Sequence, residues 1–438
     1  MLRSLRGGLI AVLLLAASTT SYGWSDHASL VWPLLRTMPA MLDTPVQPET
    51  LESFVVAESA GLATLLDEQE DWARANVPQY PIRPDALRFD PGGDDLRLAF
   101  LEAIRVNPTL PYRLYRQTTV EDGEVPTTLR FSDLSFLGVS SSHRDVTYVD
   151  LAEQDGVLPA HVLASGSDEP DFGMDIGLYA DNGTAEGARF GFGTQPFGNP
   201  NLDYGSQAPF HMGFYHLDWL TEKAQPDLLR TLPEWRIALY RALAHYAFKT
   251  GHEYWGWRFM GWALHYVGDL TQPYHAQPLP GVSTVEALWL VATGKTNEAI
   301  QLVSNRHGVL ESYQYHRVMR PMRQQNWDDP VLAAIASAQD VDTFGDATVR
   351  DLLTRESTDL GAQLDEVLEE NMPERFVSDP NFEWTGSGEE TAILETVARE
   401  KGGAAVQALD REVEAHMRRF SYYAKMWVQD GLQADRPQ

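Results

Sequence analysis

The residues with the clearest chemistry in this chain lie between positions 265 and 311, where five side chains suited to metal binding follow one another. They are His265, Asp269, His275, His307 and Glu311. His265 and Asp269 are four residues apart, so on a helix their side chains would share one face. His307 and Glu311 repeat this spacing on a second predicted helix. Three imidazoles with two carboxylates favour zinc over calcium or magnesium, which prefer oxygen ligands.

Pro273 separates His275 from the first pair of ligands. A proline removes a backbone donor and clashes with the preceding turn, so the helix should end or bend there. His275 would then approach the cavity of His265 and Asp269 from the other side. Two ordinary helices with hydrogen-bonded histidines and surface acids would account for either pair alone, but the complete set favours a metal site.

The amino terminus has the pattern of a secretory signal over residues 1–23. Arg3 and Arg6 precede an apolar run over residues 8–17, and the small residue Gly23 ends the segment. The apolar run is too short for a membrane span. The pattern predicts cleavage after Gly23 and export to the periplasm or the medium.

Such cleavage would make Trp24 the first residue of the mature chain. A free terminal amine and the carbonyl oxygen of the same residue can close a five-membered chelate on a metal ion, and His27 lies close enough in sequence to join it. The alternative is that Trp24 packs under the fold and His27 begins a helix. Beside the downstream ligands, metal binding is the favoured interpretation.

These motifs together resemble the zinc-dependent phospholipase C family, which is related to the single-strand-specific zinc nucleases. Mature members of that family begin with Trp and bind three zinc ions in an all-helical domain. The family pattern is a terminal Trp, a nearby His, an Asp, a His, then His-x3-Asp-x5-His and His-x3-Glu. Trp24, His27 and the five ligands between positions 265 and 311 fit these places.

The resemblance also implies an Asp and a His between these two ends. The family Asp often follows Gly-Ser-x-x-Pro, which residues 166–171 reproduce, so Asp171 is the predicted ligand. Its rivals are Asp168, Asp175 and, most seriously, Asp203, which lies 13 residues before His216. For the His, His216 is favoured over His211 because it lies 49 positions before His265, with a helix expected to run between them.

The resemblance implies three zinc ions in one cleft. The expected ligand sets are Trp24 and His27 with Asp269; Asp171, His216 and His265 with Asp269 bridging; and His275, His307 and Glu311. Asp171 would also orient or deprotonate the attacking water. Phe172 occupies the place of an aromatic residue near the choline group, so it is a candidate for substrate binding by a cation–π contact, with packing as the alternative.

The composition limits the class of substrate. The 438 residues carry 34 Lys and Arg against 62 Asp and Glu, a net charge of -28, and losing the two arginines of the signal brings it to about -30. Such a surface would repel nucleic acid and anionic bilayers. Acidity can equally be an adaptation for solubility or salt. The absence of cysteine excludes disulfides and thiolate ligands, which suits a bacterial envelope or medium.

The length would permit one elaborated domain or two to three smaller ones. The resemblance implies an all-α fold, a single multi-helix domain over residues 24–438, and the residue pattern adds an irregular, partly β insert. Helices are expected at 27–41, 50–75, 95–106, 232–270, 356–370 and 391–428. Strand-like segments at 127–131 and 145–149 belong to the insert, which spans 108–205. A second insert at 282–305 separates His275 from His307. Inserts of this kind are expected at the surface, flanking the cavity.

Three functions compete. The first is a secreted phospholipase C that cleaves phosphatidylcholine-like lipids, at a membrane or micelle surface, into diacylglycerol and a phosphorylated headgroup; the ending at residues 272–276 resembles the lipases. The second is a zinc nuclease or nucleotidase on the same trizinc core, although the Trp-Ala-Asp and Gly-Gly-Asn segments of those relatives are absent. The third is a module in which metals only stabilise the fold. No stable protein partner is implied.

Overall fold

The computed structural model describes residues 24, 26–123, 125, 128–137, 146–198, 203–283, 289–290 and 293–437. The predicted export signal at 1–23 lies outside the described residues. The described chain is mostly helical with one small antiparallel sheet, which confirms the expected mainly-α class. Among the described helices, none combines the length and apolar character needed to cross a bilayer.

The α-helices are numbered here in chain order. They are α1 His27–Leu35, α2 Leu51–Ala57, α3 Ser59–Asn76, α4 Leu96–Ala103, α5 Pro159–Asp168, α6 Ala185–Arg189, α7 Asp203–His211, α8 Trp219–Ala224, α9 Pro233–Thr250, α10 Glu253–Leu270, α11 Pro273–Ala276, α12 Thr296–Arg323, α13 Pro330–Ile335, α14 Thr354–Asn371, α15 Glu374–Val377, α16 Ile393–Glu400 and α17 Gly403–Gln433. A π-helical turn, Thr348–Leu353, leads into α14.

The sheet consists of three short strands, β1 Tyr115–Gln117, β2 Thr128–Leu129 and β3 Tyr148–Asp150. They pair antiparallel in the order β1-β3-β2, with Val149 opposite Arg116 on one side and Thr128 on the other. The strand-like segments at 127–131 and 145–149 thus overlap β2 and β3. The sequence pattern did not reveal β1.

The helix predicted over residues 232–270 is two helices, α9 and α10. Gly251 follows the last residue of α9 with φ +88, a left-handed conformation that glycine adopts without a β-carbon clash and that ends a helix. The prediction for 391–428 is corrected for the same reason, because Gly402 at φ +82 separates α16 from α17.

Helix α10 is the centre of the molecule. Its side chains are buried from Tyr254 to Leu270, and it packs against α9, α5 and α17. The contact with α5 is close because two glycines face each other: a β-carbon at Gly261 would lie 2.5 Å from Leu163 O and 2.9 Å from the Cα of Gly166. A helix enclosed on all sides holds the side chains at its carboxyl end in fixed positions.

The core positions expected along α9 and α10 are partly confirmed. Trp235, Leu239, Trp257 and Met260 are buried, whereas the other two expected positions, Ala242 and Tyr246, are half-buried. The hydroxyl of Tyr246 instead donates to Glu58 Oε2 at 2.5 Å, near the surface.

The segment over residues 108–205 is less irregular than predicted. It contains α5, a helix missed by the sequence analysis, whose residues are almost all buried against α10 and α1. Pro159 occupies its first turn, where a missing backbone donor costs nothing. This part of the segment belongs to the body of the protein, and it leads directly into the turn that carries Asp171.

Candidate metal centre

Side chains from five helices and one turn meet at the carboxyl end of α10. They are His27 from α1, Asp171 from the 3-10 turn Glu169–Phe172, His211 from the end of α7, His265 and Asp269 from α10, His275 from α11, and His307 and Glu311 from α12. Each is buried, with at most 7% of its surface exposed. Their donor atoms form three groups in which the ligand atoms lie within 4.8 Å of one another.

The first group is His211, His265 and Asp269. Asp269 Oδ2 lies 2.9 Å from His211 Nδ1 and 3.4 Å from His265 Nε2. The two ring nitrogens, His211 Nδ1 and His265 Nε2, are 3.0 Å apart. Three potential ligand atoms thus converge on one point, as the four-residue spacing of His265 and Asp269 predicted.

The second group adds His27 and Asp171 to His265. The imidazoles of His27 and His265 lie with their centroids 4.1 Å apart, and Asp171 Oδ1 is 3.8 Å from His265 Nε2. His27 Nε2 is 3.3 Å from Asp269 Oδ1, the oxygen that does not face His211. Asp269 therefore lies between two groups, one at each carboxylate oxygen.

The third group is His275, His307 and Glu311. His307 Nε2 lies 2.8 Å from Glu311 Oε1, one turn along α12, and the rings of His275 and His307 are perpendicular with centroids 5.0 Å apart. As predicted, the helix before Pro273 ends, at Leu270, and a new short helix brings His275 back to the cluster.

Backbone carbonyls fix the orientation of two imidazoles. His265 Nδ1 lies 2.8 Å from Ser167 O at the end of α5, and His275 Nδ1 lies 2.9 Å from His211 O. A carbonyl accepts a hydrogen bond, so in both rings Nδ1 carries the proton and Nε2 presents its lone pair to the cluster. Metal-binding histidines are commonly held in this way.

Burial dominates the electrostatics of the cluster. Burial raises the pKa of Asp171 well above its ordinary value, and burial together with the charge of Asp269 does the same for Glu311. Burial lowers the pKa of His275 to about 4. Without a cation these groups would therefore be held in their neutral forms, although they are the ligand types that bind one.

His211 and Asp269 behave in the opposite way. Although burial opposes it, the carboxylates of Asp175 and Asp269 raise the pKa of His211 to about 10. Burial also opposes ionisation of Asp269, yet the surrounding imidazoles, led by His265, hold its pKa well below the ordinary value. In the absence of other positive charge, a proton on His211 would supply the countercharge that Asp269 needs.

Several buried atoms of the cluster make no hydrogen bond to any described residue. These include both ring nitrogens of His27 and Asp269 Oδ1. A buried polar atom without a partner costs about 1–3 kcal/mol. A cation among these atoms would remove that cost, so the residues present fit a metal, and imidazole with carboxylate suits zinc.

The prediction that His216, and not His211, lies among the ligands is wrong. His216 lies apart from the cluster, with Nε2 2.7 Å from Arg350 O in the π-helical turn, and His211 occupies the place instead. The expected continuous helix from His216 to His265 does not form, because separate helices and turns intervene. After His211 the chain bends at Gly213, whose backbone donor binds His275 O at 2.8 Å, and leaves the cluster.

Phe172 is not at an open surface. It is 1% exposed and packs against the rings of Phe131, Tyr148 and Tyr115, with centroids 5.1 to 6.4 Å away. The proposed cation–π contact with substrate therefore does not fit this position, and the packing alternative does.

Trp24 lies beside the cluster. Its indole is fully buried and donates from Nε1 to Thr271 Oγ1 at 2.8 Å, two residues beyond Asp269. His416 of α17 lies next to it, with ring centroids 6.1 Å apart. The packing expected as the alternative for Trp24 is thus present, and it anchors the start of the described chain at the site.

Two supporting residues were missed by the sequence analysis as contributors to the site. Gln207 donates to Asp171 Oδ1 at 3.2 Å, and Asp175, weighed only as a rival ligand, faces His211. Both have a local signal, because Gln207 precedes His211 by four residues and Asp175 follows Asp171 by four. The side chain of Asp203 lies outside the described residues.

Asp168, another rival for Asp171, has a structural role. It accepts from Ala28 N at 3.1 Å and from Gln117 Nε2 at 2.6 Å, which joins the end of α5 to the start of α1 and to β1.

No protein-family model, curated protein or solved structure matches this chain. The function is therefore argued from the ligand set and its surroundings.

Proposed function

We propose that the protein is a zinc-dependent phosphodiester hydrolase of the phospholipase C type. The observation that carries the proposal is the convergence of five histidines with Asp171, Asp269 and Glu311 in three adjoining groups. Adjacent metals of this kind serve hydrolysis of phosphate esters, where two ions about 3.5–4 Å apart clamp the substrate.

Each zinc has a natural set of ligands. One would be held by His211, His265 and Asp269, a second by His27 with Asp171 or Asp269, and a third by His275, His307 and Glu311. Cleavage of the export signal after Gly23 would add the amine and carbonyl of Trp24 to the second set. We therefore propose that the mature chain is exported and begins at Trp24.

When bound, zinc would supply a nucleophilic water at neutral pH and would polarise the phosphoryl oxygens. The residues of the chain position these reactants. Asp171, held by Gln207 at Oδ1, has a second carboxylate oxygen that would accept the proton of the attacking water.

The surface favours a lipid with a neutral headgroup over a nucleic acid. The protein has a net charge of -28 and would therefore repel the negatively charged phosphates of a nucleic acid. Trp219 and Trp289 are 67% and 55% exposed, and each has a lysine over its ring, Lys223 and Lys295. Tryptophan with lysine is a common anchor at the interface of a bilayer.

The test is hydrolysis of phosphatidylcholine and of single-stranded DNA by the purified, exported protein, with and without a chelator. We expect chelator-sensitive release of phosphocholine, about three zinc ions per chain and Trp24 at the amino terminus. Asp269→Asn should abolish turnover, and Asp328→Asn, a surface change, should not. Hydrolysis of DNA alone would reassign the protein to the nucleases, and a protein without zinc would contradict the proposal.

A further inference from the structure

The second ring nitrogen of His211 has an environment unlike those of His265 and His275. Those two donate from Nδ1 to backbone carbonyls, whereas His211 turns Nδ1 toward the cluster. His211 Nε2 is buried, makes no hydrogen bond to any described residue, and lies 3.6 Å from Asp175 Oδ2. The carboxylate of Asp175 thus lies beside the ring nitrogen of His211 that faces away from the cluster, whereas in His265 and His275 that nitrogen faces a backbone carbonyl.

Asp175 is held rigidly in this place. Arg236 donates to its Oδ1 at 2.5 Å and Tyr266 donates to its Oδ2 at 2.5 Å, and all three side chains are fully buried. Arg236 is itself fixed, because its guanidinium also donates to Ile104 O at 2.7 Å and to Arg105 O at 2.8 Å. A carboxylate anchored at both oxygens keeps its position when a neighbouring ring moves.

The distances around His211 indicate which way its ring would move. Ligand atoms of one tetrahedral zinc, each about 2.0–2.1 Å from the metal, are about 3.3 Å apart. His211 Nδ1 is closer than that to both neighbours, 2.9 Å from Asp269 Oδ2 and 3.0 Å from His265 Nε2. Accommodating an ion among them requires His211 to shift away by a few tenths of an ångström, and Asp175 lies on the opposite side of the ring.

We infer that Asp175 is the positioning residue of the first zinc site: it accepts the Nε2 proton of His211 and so directs the lone pair of Nδ1 at the metal. This inference rests on the proposed metal centre. Carboxylate, imidazole and metal in line raise the basicity of the imidazole and fix its tautomer. Asp175 follows the ligand Asp171 by one four-residue step, so a single segment supplies both a ligand and the support of another.

The experiment compares Asp175→Asn with the wild type by zinc stoichiometry and by competition with a chromophoric chelator. Loss of a partner of this kind weakens metal binding by about 10–100-fold. We expect that loss at one of the three ions, with the other two retained. We also expect a changed visible spectrum when Co²⁺ replaces zinc, because the donor that His211 presents is altered.

Asp430→Asn is the matched control. Asp430 is a buried carboxylate bound to Arg241 at 2.6 Å and to His245 at 2.7 Å, away from the cluster. It should lower stability without changing zinc affinity or the cobalt spectrum. If Asp175→Asn behaves in the same way, Asp175 only stabilises the fold and the inference is overturned.

If Asp175→Asn does not fold, the Tyr266→Phe variant tests whether Asp175 positions His211. It removes only the hydroxyl that fixes Asp175 Oδ2, and should weaken the same ion several-fold; unchanged zinc affinity and cobalt spectrum would overturn the inference. Failure of the proposed function gives a different result: in that case the wild-type protein itself would bind no zinc.

Discussion

Gly268 lies directly against the imidazole of His27: a β-carbon at Gly268 would come within 2.9 Å of His27 Nδ1 and 3.3 Å of Phe420 Cε2. Since real β-carbons essentially never come as close as the 2.9 Å to His27, α10 needs glycine at this position if α1 is to place His27 in the cluster.

Gly268→Ala should therefore displace His27 and weaken the zinc site that it serves. Overpacking of this kind costs about 1–3 kcal/mol, so the protein should still fold. Zinc content and thermal unfolding of the purified variant measure both effects. Gly345→Ala is the control, because no atom lies within 4 Å of its β-carbon position. A Gly268→Ala variant with full zinc content would show that His27 is not a ligand.

The choice between the two histidines of the 211–216 segment is open to direct measurement. His211→Ala should lose at least one zinc ion and lower kcat/KM by about 10²–10³-fold or more, as expected when preorganised charge stabilisation is removed. His216→Ala should keep all its zinc and most of its activity, since the hydrogen bonds of His216 to described residues go to Arg350 O and Thr354 Oγ1, away from the cluster. Metal analysis showing the reverse pattern would contradict the arrangement of the site.

His161 gives the protein a dependence on pH that is separate from the metal centre. It stacks on Trp32 with ring centroids 4.8 Å apart, and burial, with repulsion from Arg116, lowers its pKa from 6.5 to about 4. Because the pKa of His161 is lower in the folded state, between pH 6.5 and 4 His161 is protonated in the unfolded chain but neutral in the folded protein. Stability from this group is therefore full above pH 6.5 and is lost as the pH falls.

His161→Phe should retain the ring stacking and remove this dependence. At pH 5 the wild type should lose about 2 kcal/mol more unfolding free energy, relative to pH 7.5, than the variant does. Urea unfolding of both proteins in excess chelator measures the difference, since the metal then contributes to neither. Equal losses in the two proteins would show that His161 titrates normally in the folded state.

Trp219 tests whether the substrate is presented in a bilayer. Trp219→Ala should lower activity on phosphatidylcholine vesicles about tenfold, because burying a large apolar side chain in an interface contributes about 1.5–3 kcal/mol. Activity on a soluble short-chain lipid serves as the internal control and should not change. Val56, also exposed but on α2, provides a second control as Val56→Ala. Equal effects on vesicles and soluble lipid would exclude Trp219 as a membrane anchor.

The pairs of ligands that lie on one helix could be predicted, because the spacing of residues along a helix depends only on the local sequence. His265 with Asp269, and His307 with Glu311, lie on single helices as their spacing indicated. The turn at Pro273 was predictable for the same reason. Helix α1 ends earlier than predicted, at Leu35, and the helix expected over residues 232–270 differs from its prediction mainly by the break at Gly251.

What depends on tertiary structure was not predictable. The interval to His265 favoured His216, but an interval is informative only if the intervening chain is one helix, and here it turns several times. Helix α7, which carries His211, packs against both α9 and α10, and these contacts join segments distant in sequence. Asp175 could be recognised as a partner of His211 only after both were placed, because 36 residues separate them.

The bond between Trp24 and Thr271 joins residues 247 positions apart, and the ligands of the cluster extend from His27 to Glu311. Contacts so distant in sequence form slowly, and none of the three groups is complete until α10 has been made. A nascent chain on the ribosome, or a fragment that ends before α10, therefore lacks a member of every group, and a fragment that ends before α12 still lacks His307 and Glu311 of the third group. Activity of the proposed kind would arise only after α12, which carries the last two ligands, has been made.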